Sequence, residues 1–306
     1  MASMKEIKRR RDSIMSTSQI TKAMKLVATV KLQKTKQIAT ESIPYFNVMY
    51  DTMTSVLKKS SNVNNKYIKN AKDAKKGLVV ISSNRGLAGG YNANIVREIL
   101  NEDSQYNFTK DNTVVYAIGN KAKDALIRKG FTVLREFNDC LDNPDINVAK
   151  EVSKTILDDY VDGKISEIYL VYTYFKNTLV HIPRVLKLLP LNVEDRIDDN
   201  EDLYSKKDMY KGYKSQYEND DKLMMNYEPE DEMILNMLIP QYMTSLLYGG
   251  MTSSIASENG ARMTAMDAAT NNANEIIDDL SVKYNRARQG AITQEITEIV
   301  AGANAI

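Results

Sequence analysis

The last stretch of the chain, Gly260 to Ile306, carries the most regular pattern of apolar and polar positions. It contains no proline, and its apolar or small residues recur at spacings of three and four. These residues are Met263, Met266, Thr270, Ala273, Ile277, Leu280, Tyr284, Ala287 and Ala291. Such a repeat predicts a long helix that turns one narrow seam toward a partner helix in a left-handed coiled coil. Because most seam residues are small, the two backbones can approach closely while burying little apolar area per layer.

The first part of the chain, Ser3 to about Lys59, predicts a second long helix because good helix formers dominate it. One set of apolar residues follows the three-four register: Ile7, Ile14, Ala28, Leu32, Ala39, Phe46, Met49, Met53 and Val56. A second set lies off that register: Ile20, Met24, Val27, Val30 and Ile38. Apolar residues on more than one face indicate a second apolar neighbour. At about 1.5 Å per residue, helices of about 80 and 90 Å are too long for the interior of a domain of this size.

The middle of the chain alternates short apolar runs with amphipathic segments. GLVVISSN, NTVVYAIG, FTVLREF, EIYLVYTYF and LVHIPRVLKLLP predict strands, and ANIVREILNE, NKAKDALIRKG and the stretch from Asn147 to Val161 predict helices. This alternation predicts a small Rossmann-like open α/β sheet that is parallel except for a final hairpin across the turn KNT. The fold class is therefore α/β plus a long coiled coil.

Four segments follow from these patterns. They are an N-terminal coiled-coil helix at 1–60, a central α/β domain at 61–195, an acidic tyrosine-rich insertion at 196–229 and a C-terminal coiled-coil helix at 230–306. The insertion includes the stretch from Asp198 to Asn226, which shows no clean period and carries four tyrosines. We interpret it as an extended surface excursion or a partly disordered loop.

Composition and charge narrow the class of protein. The 306 residues carry a net charge of +1, but Met1 to Lys36 holds ten Lys or Arg against two acids. No apolar run approaches the roughly 20 residues that cross a bilayer, and the N-terminus lacks a signal-peptide core. A nucleic-acid or membrane-surface binder using KEIKRRR is disfavoured, because the basic residues lie on several helix faces and few aromatics interleave with them. We expect no nucleic-acid partner.

Residues that could carry chemistry are sparse. His181 is the only histidine and Cys140 the only cysteine, so neither a histidine pair nor a disulfide can form within the chain. The glycine-rich turn Asn84 to Asn92 follows a predicted strand, but it matches neither the Walker spacing nor G-x-G-x-x-G. We predict no catalytic residue, no cofactor and no metal site. One alternative remains, an independent α/β nucleotide-binding protein with a helical dimerisation arm.

Beyond Ala291 the apolar residues leave the seam register. They are Ile292, Ile296, Ile299, Val300 and Ile306. They would project past the shorter helix as an apolar tip, which needs a hydrophobic sleeve from another protein.

Both ends of the chain resemble the gamma subunits of F-type ATP synthases. The segments ARMTAMDAATNNA, IDDLSVKYNRARQ and AITQEITEIVAGA carry the resemblance at the C-terminus, and KEIKRRRDSI and TSQITKAMKLVA carry it at the N-terminus. In the glycine-rich turn the chain departs from the family at Asn84 and Ala88. The resemblance implies that the two terminal helices wind antiparallel around each other. It also implies a rotating central shaft that performs no bond chemistry of its own.

The resemblance further implies partners and contact residues. One copy would stand inside a ring of three alpha and three beta subunits, with the epsilon subunit and the membrane c-ring at its foot. The complex would work as a proton- or sodium-translocating ATP synthase, peripheral to the cytoplasmic face of a bacterial plasma membrane. The residues implied to contact beta subunits or to transmit torque are Arg288, Gln289, Thr293, Glu295, Met24, Lys25 and Val27.

Overall fold

A computed structural model describes residues 4–59, 66–67, 74–101, 106–141, 144–190 and 231–303. The insertion predicted at 196–229 and the tip residue Ile306 lie outside the described residues. The helices are α1 (Met4–Lys59), α2 (Tyr91–Ile99), α3 (Asn120–Arg128), α4 (Ile146–Val161) and α5 (Asp231–Ala303). The strands are β1 (Lys75–Ile81), β2 (Thr113–Ile118), β3 (Thr132–Phe137), β4 (Ile165–Phe175) and β5 (His181–Leu189).

The chain divides into two compact units. One consists of Met1–Val30 and Arg262–Ile306, and the other of Lys31–Ala261. Helices α1 and α5 each contribute to both units, because their residue ranges cross both boundaries. Among the residues that the structure describes, none of the helices is long and apolar enough to span a bilayer.

The second unit is built on a five-stranded sheet in the order β3-β2-β1-β4-β5. Strand β1 pairs parallel with β2 and β4, β2 pairs parallel with β3, and β4 pairs antiparallel with β5. The predicted open α/β sheet with a final antiparallel hairpin is therefore confirmed. Strand β1 lies at the centre and reads as a continuous apolar run because both of its faces are covered.

Side chains of β1 alternate between two cores, as the two-residue period of a strand requires. Leu78 and Val80 belong to the core that α2 and α3 cover. Val79 and Ile81 belong to the core that α4 and the first part of α5 cover, with residues of α1 such as Met49. The sheet is thus the central layer of this unit.

Serines of α5 bind the end of β4, which extends beyond its last pair with β1. The backbone N–H of Thr173 donates to Ser254 Oγ at 3.1 Å, and the N–H of Phe175 donates to Ser253 Oγ at 3.1 Å. Ser253 and Ser257 donate to the Thr173 carbonyl at 3.0 and 3.3 Å. These bonds satisfy backbone groups that β1 cannot reach, and they fix α5 to the sheet.

The same geometry explains why the edge strand β5 tolerates a proline in its interior. Pro183 faces Thr173 across the β4–β5 ladder. Both the N–H and the carbonyl of Thr173 bind serines of α5, so neither points toward β5. Pro183 therefore occupies a non-hydrogen-bonded position, where its missing N–H removes no ladder bond.

A buried carboxylate joins β2, β3 and the end of α4. Asp159 is 1% exposed and accepts hydrogen bonds from Tyr116 Oη at 3.1 Å, Arg135 Nε at 2.9 Å and Lys164 Nζ at 2.7 Å. The hydrogen bond from Arg135 is the main cause that lowers the pKa of Asp159 from 3.8 to about 2, against the opposing effect of burial. Burial raises the pKa of Tyr116 and keeps its hydroxyl a donor.

We expect Asp159→Asn to destabilise the protein by about 2–3 kcal/mol at pH 7, because the charged form gains the hydrogen bonds that lower its pKa. Since the folded pKa lies below the ordinary value, this contribution is present above about pH 5 and is lost as the pH falls through about 2. Urea unfolding at several pH values measures it. Asp158→Asn, at an exposed neighbour, is the control. Equal destabilisation by the two variants would contradict the role of Asp159.

Candidate functional site: the paired chain ends

The seam predicted for α5 is confirmed in the first unit. All nine predicted positions are buried or partly buried, and Met266, Thr270, Ala273 and Leu280 are the buried ones. Between Asn271 and Gly290 every other residue except Ser281 is exposed. The buried face is therefore as narrow as a coiled-coil seam.

The seam of α1 contains polar residues that the apolar pattern did not identify. Ile7 and Ile14 are partly buried and Ala28 is 1% exposed, as predicted. Between them, Ser18 and Thr21 are each only 9% exposed. Ser18 and Thr21 lie at three-four spacing from Ile14, so the spacing could have identified them as seam residues. They were not predicted because only apolar residues of α1 were assigned to the seam. Met24, which we placed off the register, is partly buried.

Side-chain contacts between described residues of α1 and α5 give the relative direction of the two helices. Arg11 lies over the Tyr284 ring at 5.3 Å, Ser18 donates to Asn274 at 2.9 Å, Thr21 and Thr270 hydroxyls bond at 2.7 Å, and Lys25 binds Asp267 at 2.6 Å. As the residue number rises along α1, the number of its partner falls along α5. The helices therefore pair antiparallel, as the resemblance implied.

An apolar stripe remains exposed on the outer face of α1. Ile20, Val27 and Val30 are 60, 59 and 65% exposed, and Leu26 is 62% exposed. The prediction that Ile20, Val27 and Val30 lie off the seam is confirmed. This stripe and the basic side chains of α1 form the outer surface of the helix.

The last turns of α5 expose every predicted contact residue that the structure describes there. Arg288, Gln289, Thr293 and Glu295 are exposed, and the Thr293 hydroxyl donates to the Gln289 carbonyl of its own helix at 2.9 Å. The apolar tip is exposed as well. Its described members are Ile292, Ile296, Ile299 and Val300, at 48, 56, 70 and 52%. Large apolar side chains on the outer turns of one helix form a surface typical of contact with other proteins.

The glycine-rich turn in the second unit is held by its own hydrogen bonds. Asn92 Oδ1 accepts from the N–H of Ser83 at 3.1 Å, and Asn92 Nδ2 donates to Ser83 Oγ at 2.8 Å. The Ser83 hydroxyl in turn donates to the Arg85 carbonyl at 2.7 Å. Asn84 donates to the Asn138 carbonyl at 2.7 Å. The bonds between Ser83 and Asn92 connect the segment after β1 with α2, and the Asn84 bond connects it with the segment after β3.

The remaining candidate groups for chemistry are dispersed in the second unit. Cys140 is buried in the core beside α4, and His181 lies partly buried on β5, where burial lowers its pKa. Within the described ranges, no group of three or more His, Cys, Asp or Glu side chains is placed to hold a metal ion.

The small seam generates a stability prediction. Ala273 is 6% exposed between the helices, so Ala273→Leu should force them apart and destabilise the first unit by about 1–3 kcal/mol. Ala268→Leu adds the same atoms to an exposed position of the same helix and should change stability little. Thermal unfolding followed by circular dichroism compares the two. A smaller loss for Ala273→Leu than for Ala268→Leu would show that the seam is not closely packed.

Comparisons with known proteins agree over the whole chain. The family model described as ATP synthase matches residues 3–306. An ATP synthase gamma chain from Lachnoclostridium phytofermentans is 50% identical over 306 residues, which is 100% of both chains. The sodium ion specific ATP synthase gamma chain of Acetobacterium woodii is 38% identical over 98% of each chain.

Solved structures share the fold. A chain of the mitochondrial ATP synthase of Euglena gracilis, in an assembly of OSCP, F1 and c-ring, matches with a TM-score of 0.64 at 18% identity, covering 99% of this chain and 94% of that chain. A chain of the rotor of the same enzyme matches with a TM-score of 0.62 at 18% identity, covering 94% and 98%. The antiparallel chain ends and the five-stranded sheet agree with the sequence similarity to gamma chains over the whole length. The chain therefore belongs to the ATP synthase gamma chain family.

Proposed function

We propose that the chain is the central-stalk rotor subunit of an F-type ATP synthase and transmits torque between an ion-driven membrane ring and three catalytic beta subunits. One observation carries the proposal. The antiparallel pair of α1 and α5 buries only a narrow seam and exposes apolar residues along its outer face and at the end of α5. A shaft enclosed by other proteins requires such a surface.

The asymmetry of the pair supplies the mechanism. The shaft presents different side chains on its two helices: α1 exposes the apolar stripe from Ile20 to Val30, and α5 exposes acids such as Asp278 and Asp279. Inside a threefold ring, each orientation therefore gives the three catalytic sites different contact energies and favours a different conformation at each. A third of a turn exchanges the three conformations.

The partners follow from family membership and from the assemblies that contain its structural relatives. One copy of the chain would stand within three alpha and three beta subunits, with the epsilon subunit and the c-ring at the foot. The matched structures come from mitochondrial ATP synthase assemblies: a central stalk with its c-ring, a rotor, and an assembly of OSCP, F1 and c-ring. The complex would be peripheral to the cytoplasmic face of a bacterial plasma membrane and would translocate protons or sodium ions.

The chain itself would not catalyse a reaction. The match to gamma chains over the whole length of the chain favours the rotor over the independent nucleotide-binding protein. In the glycine-rich turn, Ser83 and the amide nitrogen of Asn84 form internal hydrogen bonds. We keep the four-segment division at 1–60, 61–195, 196–229 and 230–306 as part of this proposal.

Arg288 is the proposed directional contact with a beta subunit. Its side chain is exposed on the last turns of α5, next to Gln289 and one to two turns before Thr293 and Glu295. A guanidinium forms directional, charge-assisted hydrogen bonds that can bear a tangential load. The apolar tip makes non-directional contacts, along which a surrounding sleeve can slide.

Further along α1, Met24 and Val27 are the proposed contacts with acidic loops of beta subunits, and Lys25 lies between them in the chain. Val27 is the most exposed of the three and lies on the apolar stripe. Met24 and Lys25 are partly buried beside the seam.

Arg288→Ala should lower coupled ATP synthesis by about tenfold, which corresponds to losing about 1.5 kcal/mol from a hydrogen bond to a charged group. The measurement is ATP synthesis by the complex reconstituted in vesicles, normalised to assembled complex. Arg286→Ala removes the same side chain from an exposed position two residues away and should have a smaller effect. Unchanged synthesis by assembled Arg288→Ala complexes would remove Arg288 from the mechanism.

The rotor assignment itself predicts a stoichiometry. The chain expressed with its partners should purify as one copy per three alpha and three beta chains. Mass measurement of the intact complex gives this ratio, and the chain purified alone with bound nucleotide would favour the alternative instead.

A further inference from the structure

Three polar contacts follow one another along the paired helices at seam spacing. They join Ser18 to Asn274, Thr21 to Thr270, and Lys25 to Asp267, at 2.9, 2.7 and 2.6 Å. We call these six residues the polar ladder. Apolar side chains at these positions would bury more apolar surface and could stabilise the helix pair more than the polar ladder does. Stability of the pair alone therefore does not explain the polar residues.

The central contact of the ladder is a buried hydroxyl chain. Thr21 and Thr270 are each 9% exposed. Thr21 Oγ1 also lies 3.0 Å from the Ser18 carbonyl, and Thr270 Oγ1 lies 2.7 Å from the Met266 carbonyl. Whichever hydroxyl donates across the seam, the other can donate to its own backbone. The bond between the two hydroxyls, unlike these backbone bonds, forms only when the two helices keep one rotation and one axial position relative to each other.

Lys25 belongs to this arrangement through Asp267. Its ammonium lies 2.6 Å from Asp267 Oδ1, and the two side chains are 39 and 48% exposed. A pair this exposed contributes little to stability. The ion pair between Lys25 and Asp267 nevertheless adds a directional contact one helical turn from the Thr21 hydroxyl, at the solvent-exposed edge of the seam.

The position of the ladder matters for torque. The register of its contacts brings Met4, where the described part of α1 begins, level with the turn of α5 that carries Arg288. All described residues beyond Ala291 are exposed. Within the described residues, a load applied to this exposed end enters α5 first, and side-chain contacts such as the ladder can pass it to α1.

We propose that the polar ladder makes α1 and α5 turn as one body, and that Lys25 acts through Asp267 rather than directly on a partner subunit. This inference rests on the proposed rotor function. Apolar layers such as Ala28 and Ala273 let helices slide or roll, whereas hydrogen bonds and the ion pair resist both motions because they depend on direction. The ladder residues are positioning residues for the Arg288 contact.

A charge exchange tests the assignment of Lys25. In reconstituted complexes, Lys25→Asp and Asp267→Lys should each lower ATP synthesis by about threefold, because each places like charges at the contact. The double exchange restores an ion pair and should return synthesis to within about twofold of the wild type. If the double variant stays as defective as Lys25→Asp, the lysine acts on a partner and its role in the ladder is refuted.

The threonine pair tests load sharing. Thr21→Val with Thr270→Val removes both hydroxyls at nearly constant volume and should lower ATP synthesis about fivefold more than ATP hydrolysis without an ion gradient. Thr21→Ser with Thr270→Ser retains the hydroxyls and should restore the ratio of synthesis to hydrolysis. Thr17→Val is the control, because this exposed hydroxyl bonds only to the Ser13 carbonyl of its own helix among the contacts described.

The outcomes separate this inference from the rotor function. Equal losses of synthesis and hydrolysis, or no recovery with the serines, would show that the threonines serve stability alone.

If Arg288→Ala lowers synthesis but the valine variant does not, the role of the ladder is refuted and the rotor function stands. If neither lowers synthesis in assembled complexes, the proposed rotor mechanism fails with it. If the valine variant does not assemble, the serine variant and the charge exchange still test the proposed role of the ladder.

Discussion

The close antiparallel pairing of two helices from opposite ends of the chain is the interaction on which the proposed function depends. Small residues such as Ala28 and Ala273 let the helices approach, but such layers bury little apolar area. The pair is consequently thin, and its outer apolar residues, including Val30 and Ile299, remain exposed. The described residues of this unit leave these apolar side chains exposed. Such a surface suits a shaft that other subunits enclose.

The second unit contains its own stretch of α5, which it holds by packing and by directional hydrogen bonds. Its central strand β1 is buried on both faces, and α5 is bonded to the overhanging end of β4 by serines such as Ser253 and Ser254. The carboxylate of Asp159 joins β2, β3 and α4 through Tyr116 and Arg135. Torque needs a body that does not deform locally, and satisfied buried polar groups provide directional contacts that packing alone does not.

Periodicity predicted the parts of the structure that depend on local repetition. The α5 seam from Met263 to Ala291 and the alternating strands and helices were identified because their spacing is visible in the sequence. The polar seam members Ser18 and Thr21 were missed because polarity was equated with exposure. The strand order and the bonds between Asp159 and Arg135 were also missed, since periodicity contains no information about which distant elements become neighbours. The roles of Arg288 and of the tip residues come from the family resemblance and stay predictions.

Rotation of the paired ends within a ring of subunits can be tested with a reversible cross-link. Val27 is exposed on α1, so Val27→Cys in a Cys140→Ser background can form a disulfide with a cysteine introduced in the acidic loop of one beta subunit. We expect cross-linking to abolish ATP turnover by the complex and reduction of the disulfide to restore it. Full turnover by the cross-linked complex would contradict a rotating shaft.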